Sequence, residues 1–137
     1  MNLLFADTSF FYALAYKKDP HHKEAAKLLS SLKVPLITSN YVFDELITIL
    51  RYDFSHEVAV HYGQSIHSSK LCSITRISRE DEENAWDIFL KYSDQKFSFT
   101  DCTSFAVMKR LHLREVACFD VHFVTAGFIR VPPIPRG

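Results

Sequence analysis

The chain is poor in the residues that break or staple a fold. It has three glycines, five prolines and three cysteines in 137 residues, and three of the prolines fall in the last six positions. So few Gly and Pro exclude a collagen-like repeat or a low-complexity linker. Cys72, Cys102 and Cys118 are odd in number and widely spaced. That argues against a disulfide scaffold or a zinc cluster and for a reducing, cytoplasmic setting. No excess of either charge is present, since 16 Lys+Arg face 16 Asp+Glu. An overall basic footprint for nucleic acid is therefore missing, although local acids can mask a basic rim. No apolar run reaches the ~20 residues of a membrane span. The opening MNLLFADTSFF lacks a basic leader before a long apolar stretch, so no signal peptide is expected.

What the chain does have is apolar mass. Hydrophobic residues make up 47%, with 12 Phe and 6 Tyr. A chain of this length reads as one domain over 1–137 that buries roughly two thirds of its unfolded surface. Short apolar runs at 2–6, 34–38, 71–77, 116–119 and 128–131 read as strands, the last an edge strand before a Pro-rich tail. Between them lie helical patterns. One covers 8–16, with Thr8 or Ser9 as cap. One follows Pro20, with Ala25, Leu28, Leu29 and Leu32 inward. One covers 41–52, capped by Ser39 or Asn40, and the next covers 56–68. Ser78 with Glu80, Asp81 and Glu82 starts a helix carrying Ala85, Trp86, Phe89 and Leu90, because first-turn acids oppose the helix dipole. Residues 93–99 read as a loop, and Thr100 as the cap of a helix over 101–111 with Phe105, Ala106 and Met108 inward. Strands alternating with helices predict an α/β domain with a mainly parallel sheet covered on both faces.

Four carboxylates stand out by position. Asp7 and Asp120 each follow an apolar strand, at the edge where such sheets bind ligands. Asp101 opens a helix, and Glu45 lies within an otherwise apolar one. Its neighbour Asp44 projects about 100° away, so the two cannot share a face. With Thr8, Ser9 and Ser104 these acids form a candidate pocket. Each has an ordinary alternative as a capping or solvated residue, and no pair forms a tight local motif. The argument is joint. Clustered acids repel, burial raises that cost, and a divalent cation resolves it. Oxygen-only donors suit Mg²⁺ or Mn²⁺. A cation bridging acids and phosphates would need positioning charges around it, for which Arg51, Lys70, Arg76, Lys96, Lys109, Arg110 and Arg130 are candidates.

Other chemistries fit less well. His56, His61 and His67 are separated by roughly 140° and 120° around a helix and share no face. His21 and His22 read as polar residues at a helix start. Cys102 has no histidine partner at a recognisable spacing. His122 sits beside Asp120, as a structural residue or near the site. A receiver-type phosphoacceptor would need an acidic pair after the first strand, which LLFADTS does not supply.

The segments LLFADTSFFYALA (3–15), TSNYVFDEL (38–46), FSFTDCTSFAVMK (97–109) and VACFDVHF (116–123) together resemble the PIN domain, and most closely its small VapC-type toxin nucleases. The resemblance covers essentially the whole chain, in order. It implies an α/β/α sandwich around a mainly parallel five-stranded sheet. It implies that Asp7, Glu45, Asp101 and Asp120 hold Mg²⁺ or Mn²⁺ and are the catalytic acids. Thr8, Ser9, Asn40, Asp94 and Thr100 are implied as supporting residues. The implied reaction is metal-assisted hydrolysis of RNA, leaving 5′-phosphate and 3′-hydroxyl ends. The implied partners are RNA, a second copy of the chain and a separate antitoxin, with the early helices, including Tyr12 and Tyr16, contributing to those contacts. A PIN-like RNA-processing factor or a non-catalytic binding module is the alternative. Flap-type nucleases share such an acidic pocket, but need clamping elements for which this chain has no room.

Overall fold

Short, mostly apolar runs build the sheet. The computed structural model describes residues 2–135, so Arg136 and Gly137 of the Pro-rich tail lie outside the described residues. The strands are β1 (Leu4–Ala6), β2 (Leu36–Ser39), β3 (Cys72–Thr75), β4 (Glu115–Ala117) and β5 (Ile129–Val131). Their order is β3-β2-β1-β4-β5, and every pairing is parallel. β1 lies at the centre, with Phe5 opposite Ile37 on one side and Val116 on the other. From β1 the chain winds outward to β2 and β3, then returns to place β4 and β5 on the opposite flank. The order therefore reverses at β1 and β4, which opens a crevice at their carboxyl ends.

Among the described residues seven helices cover the sheet: α1 (Thr8–Ala15), α2 (His22–Ser31), α3 (Asn40–Asp53), α4 (His56–Ser68), α5 (Arg79–Lys91), α6 (Phe99–Arg110) and the single turn α7 (His122–Thr125). The sequence leaves the cap of α1 to Thr8 or Ser9, but Asp7 takes it by accepting from the Ser9 amide at 3.1 Å. Ser39 caps α3 through the Val42 amide. The α6 cap is Ser98, not Thr100. Ser98 and Asp101 exchange side-chain and backbone hydrogen bonds at 2.9 and 3.0 Å, a capping box that starts the helix at Phe99, inside the stretch read as loop. Ser78 and Asp81 form the same box on α5.

The core gathers Phe5, Phe10, Val42, Leu46, Leu50, Val107, Met108, Val116 and Phe123, all essentially inaccessible. Residues Asp101–Met108 of α6 are all buried, so this helix is enclosed on every side. On α5 the burial differs from expectation. Only Asp81 and Ala85 are buried, while Trp86 is 52% and Leu90 60% exposed and Phe89 also faces outward. Trp86 and Phe89 still touch α6 edge-on through Phe99, at 6.3 and 6.2 Å between centroids, while the buried anchor between the two helices is an ion pair. Asp81 accepts from Arg110 Nε and Nη2, both at 2.9 Å, and Arg110 also reaches the Arg76 carbonyl. Arg110 is thereby removed from the list of cations free to meet a phosphate. No helix among the described residues is long and apolar enough to cross a membrane.

Candidate active site

Asp7 leaves the end of β1 with its amide bound to the Ala117 carbonyl of β4 at 3.0 Å. This fixes its carboxylate over the crevice between the two strands. Ser9 then locks it. The Ser9 hydroxyl donates to Asp7 Oδ2 at 2.7 Å and accepts from the Phe119 amide at 3.0 Å, tying α1 to the segment after β4. Asp120 follows that segment, and its Oδ1 accepts from the His122 amide at 3.0 Å. Asp101 comes from the first turn of α6 and its Oδ2 lies 2.8 Å from His122 Nδ1. Donor atoms of Asp101, Asp120 and His122 all fall within 4.8 Å of one another.

Asp7, Ser9, Asp101 and Asp120 share a cavity of about 350 Å³, which His122 does not line. Asp7, Thr8, Ser9, Glu45, Asp101 and Asp120 line it. So do Asp19, Tyr12, His21, Ile49 and Phe119, to which the sequence assigned no place in this pocket. Five carboxylates thus face one volume, and no Lys or Arg among the described residues lines it. Glu45 is half-buried while Asp44 is exposed, so the phase of α3 turns only one of the pair inward.

The other candidates lie elsewhere. Asn40 accepts from the Ile77 amide at 2.7 Å and braces the segment between β3 and α5, outside the cavity lining. Asp94 is exposed in the turn after α5. Thr100 is half-buried and its carbonyl accepts from the Thr103 hydroxyl at 2.7 Å. Ser104 is buried in α6 without a hydrogen-bond partner and does not line the cavity. His21 escaped notice because it reads as an ordinary helix-start residue. Its ring stacks on Phe119 at 4.5 Å, and Arg130 lies 5.5 Å from the same ring. A histidine beside an acid-rich crevice has no local sequence signal.

The electrostatics of the cavity are unfavourable as they stand. Asp7 is 2% exposed, and its carboxyl is pushed up to about 8 by burial first, then by Asp120, with the Ser9 hydroxyl working the other way. Asp120 is raised too, by burial and then by Asp101, against opposing help from His122. Thr8 Oγ1 is buried with no partner. Buried acids without a counter-charge, beside an orphaned hydroxyl, are the donor set a hard cation needs. The residues fit a metal site. A cysteine nucleophile does not fit, since burial and then Asp101 push the Cys102 thiol up to about 11. A separate cavity of about 360 Å³, among Phe11, Leu14, Leu29, Tyr62 and Ile66, carries no carboxylate and no hydrolytic chemistry.

Residues 4–129 match the PIN domain. Over 131 residues the chain is 34% identical to the 23S rRNA-specific endonuclease VapC20 of Mycobacterium tuberculosis, covering 96% of this chain and 99% of that protein. The crystal structure of that VapC20, described as a sarcin-ricin loop cleaving toxin, superposes with a TM-score of 0.87 at 33% identity, over 93% of this chain and 97% of the other. FitAcB from Neisseria gonorrhoeae aligns at a TM-score of 0.70 and 16% identity, over 93% of this chain and 95% of the other. A toxin-antitoxin complex from Klebsiella pneumoniae aligns at 0.63 and 16%, over 97% and 96%, and both show a common fold. By sequence, fold and the acids gathered where β1 and β4 part, the chain belongs to the PIN-domain family.

Proposed function

We propose that this chain is a Mg²⁺- or Mn²⁺-dependent endoribonuclease, the toxin of a toxin–antitoxin pair, that hydrolyses a phosphodiester in ribosomal RNA. The observation that carries this reading is the convergence of Asp7, Glu45, Asp101 and Asp120 on one cavity that no Lys or Arg among the described residues lines. A relative at 34% identity across nearly its whole length, named as a 23S rRNA-specific endonuclease, supports the substrate class.

Asp7, Asp101 and Glu45 would hold the principal cation, and Asp120 a second one or the attacking water. A bound divalent cation supplies Lewis acidity toward water and neutralises charge on the phosphoryl oxygens. The chain's own residues supply geometry. Ser9 holds Asp7 in place and ties it to Phe119. Arg130, beside Phe119 at the cavity edge, is the sequence-predicted cation with the best claim to an RNA phosphate. A neutral net charge suits selection of one folded RNA by shape over tight binding to any RNA.

The proposal includes a second copy of the chain and a separate antitoxin. Trp86, Phe89 and Leu90 form an exposed apolar stripe on α5, preceded by Glu82 and Glu83 and followed by Lys91. An antiparallel two-fold contact through α5, in place of the early-helix contact that the resemblance implies, would cover the stripe and set acids opposite the lysine. The proposal puts the activity in the cytoplasm, where ribosomal RNA is found.

The test is cleavage of a synthetic sarcin–ricin hairpin, and of total ribosomal RNA, by protein freed of any inhibitor. New 5′ ends are mapped with Mg²⁺, Mn²⁺ or excess chelator, with Asp101→Asn in parallel. Discrete metal-dependent cuts absent from the variant are expected. Folded protein that cuts neither RNA under either metal would refute the assignment.

A further inference from the structure

His122 stands between two of the acids and touches each through a different group. Its ring Nδ1 lies 2.8 Å from Asp101 Oδ2, and its main-chain amide donates to Asp120 Oδ1 at 3.0 Å. Asp101 Oδ2 also accepts the Ser98 amide of the α6 capping box at 3.0 Å. An ionised carboxylate has no hydrogen to give, so the ring contact requires a hydrogen on Nδ1. The neutral Nδ1–H tautomer and the imidazolium both provide it, and the argument needs neither in particular. Phe97 packs edge-on against the imidazole with centroids 5.7 Å apart, and Phe97 itself packs on Phe105 of the core at 5.0 Å. The ring is thus braced from the side opposite to solvent.

Each acid consequently has one oxygen already committed. Asp101 Oδ2 carries two donors, leaving Asp101 Oδ1 without a hydrogen-bond partner among the described residues, while Asp120 is held by the main-chain amides of His122 and Phe123. We propose that His122 is a positioning residue for the metal site: its Nδ1–H clamps Asp101 so that this acid offers a single, fixed oxygen to the cation. A carboxylate held in one orientation before the cation arrives loses less freedom on binding it. Partners that orient ligands in this way are worth about 10–100-fold in metal affinity. The competing arrangement makes His122 itself a ligand. That arrangement would use Nε2, since Nδ1 is spent on Asp101, and nitrogen hyperfine coupling to bound Mn²⁺ tells the two apart.

This inference rests on the metal reading of the site, and the experiment separates the two. Mn²⁺ binding is titrated by calorimetry, and the Mn²⁺ EPR spectrum recorded, for full-length wild type, His122→Phe, His122→Asn and Asp101→Asn. Phenylalanine keeps a ring against Phe97 and loses the donor. Asparagine keeps an N–H donor at the same number of bonds from the backbone. We expect His122→Phe to weaken Mn²⁺ binding about 10–100-fold and His122→Asn to recover most of the loss, with melting in chelator nearly unchanged. Should His122→Phe fail to fold, His122→Leu takes its place in the same comparison. Wild-type affinity in the donor-less variant would overturn the positioning role. So would an asparagine variant as weak as phenylalanine, or nitrogen hyperfine coupling to the wild-type Mn²⁺. Wild type that binds no Mn²⁺ would overturn the metal reading itself.

Discussion

Replacing Asp7 with asparagine should stabilise the cation-free protein at neutral pH while destroying its response to metal. Asp7 is 2% exposed and its carboxyl is raised from 3.8 to about 8, chiefly by burial and then by Asp120. A group held higher in the folded than in the unfolded chain contributes stability that is complete below about pH 4 and lost as pH rises to about 8. At about 1.4 kcal/mol per unit, the full loss approaches 5–6 kcal/mol as an upper bound. Asparagine keeps an oxygen for the Ser9 hydroxyl and amide but carries no charge to bury. It also relieves Asp120 of one like-charged neighbour. The assay is urea unfolding in chelator at pH 5, 6, 7 and 8. Wild type should lose stability steadily over that range, at up to about 1.4 kcal/mol per pH unit. The variant should lose much less and should be the more stable protein at pH 8. Saturating Mn²⁺ should reverse the order, because the cation stabilises only the form that holds it. Parallel pH curves in chelator, or a variant less stable than wild type at pH 8, would refute the claim that an uncompensated buried carboxylate sits in this cavity.

Other outcomes follow from single contacts. Glu45→Gln should cut RNA cleavage by on the order of 10²-fold, while Asp44→Asn leaves the rate near wild type; equal effects would mean that α3 is rotated from the phase seen here. Arg110→Ala should destabilise by roughly 3 kcal/mol, the lower end for a broken buried pair because Arg110 is itself part-exposed, read from the urea midpoint. Ser9→Ala should cost about 1–2 kcal/mol, since the Phe119 amide and Asp7 lose a shared partner; an unchanged midpoint would count against that bridge. Trp86→Glu should convert a dimer to a monomer in light scattering with melting little changed, and a wild type monomeric at high concentration would remove the α5 contact from the proposal.

Much of the architecture can be read along the chain because its signals are local. Five short apolar runs, four closed by a polar or charged residue and the last by Pro132, mark five strands, and the helices between them demand parallel crossovers. Asp7 and Asp120 declare their place as well, since a residue that ends a parallel strand lies at the ligand edge wherever that strand falls in the sheet. Ser78 and Ser55 announce helix starts within their own turn. Ambiguity begins where neighbouring residues compete for one local role. Ser98 and Thr100 both carry a hydroxyl near Asp101, and only the path of the chain out of α5 decides that Ser98 faces the open amide. Trp86, Phe89 and Leu90 look like core by composition, yet they stay largely exposed, and the buried link between α5 and α6 is Asp81 with Arg110, 29 positions apart.

Contacts that join distant segments have no periodicity to betray them. The sequence determined that four acids exist, that two end strands, and that Glu45 and Asp44 cannot both face inward. Only the tertiary structure decided that β1 and β4 lie side by side, which brings Asp7 beside Asp120 and lets Ser9 bond Phe119 across 110 positions. It also decided that Asn40 braces the β3–α5 connection instead of the cavity, and that His122 meets Asp101. The physical reason is the range of the forces. Apolar patterning and capping act within a turn or a strand, whereas the charge and burial that make an acid reactive are set by whatever the fold packs against it.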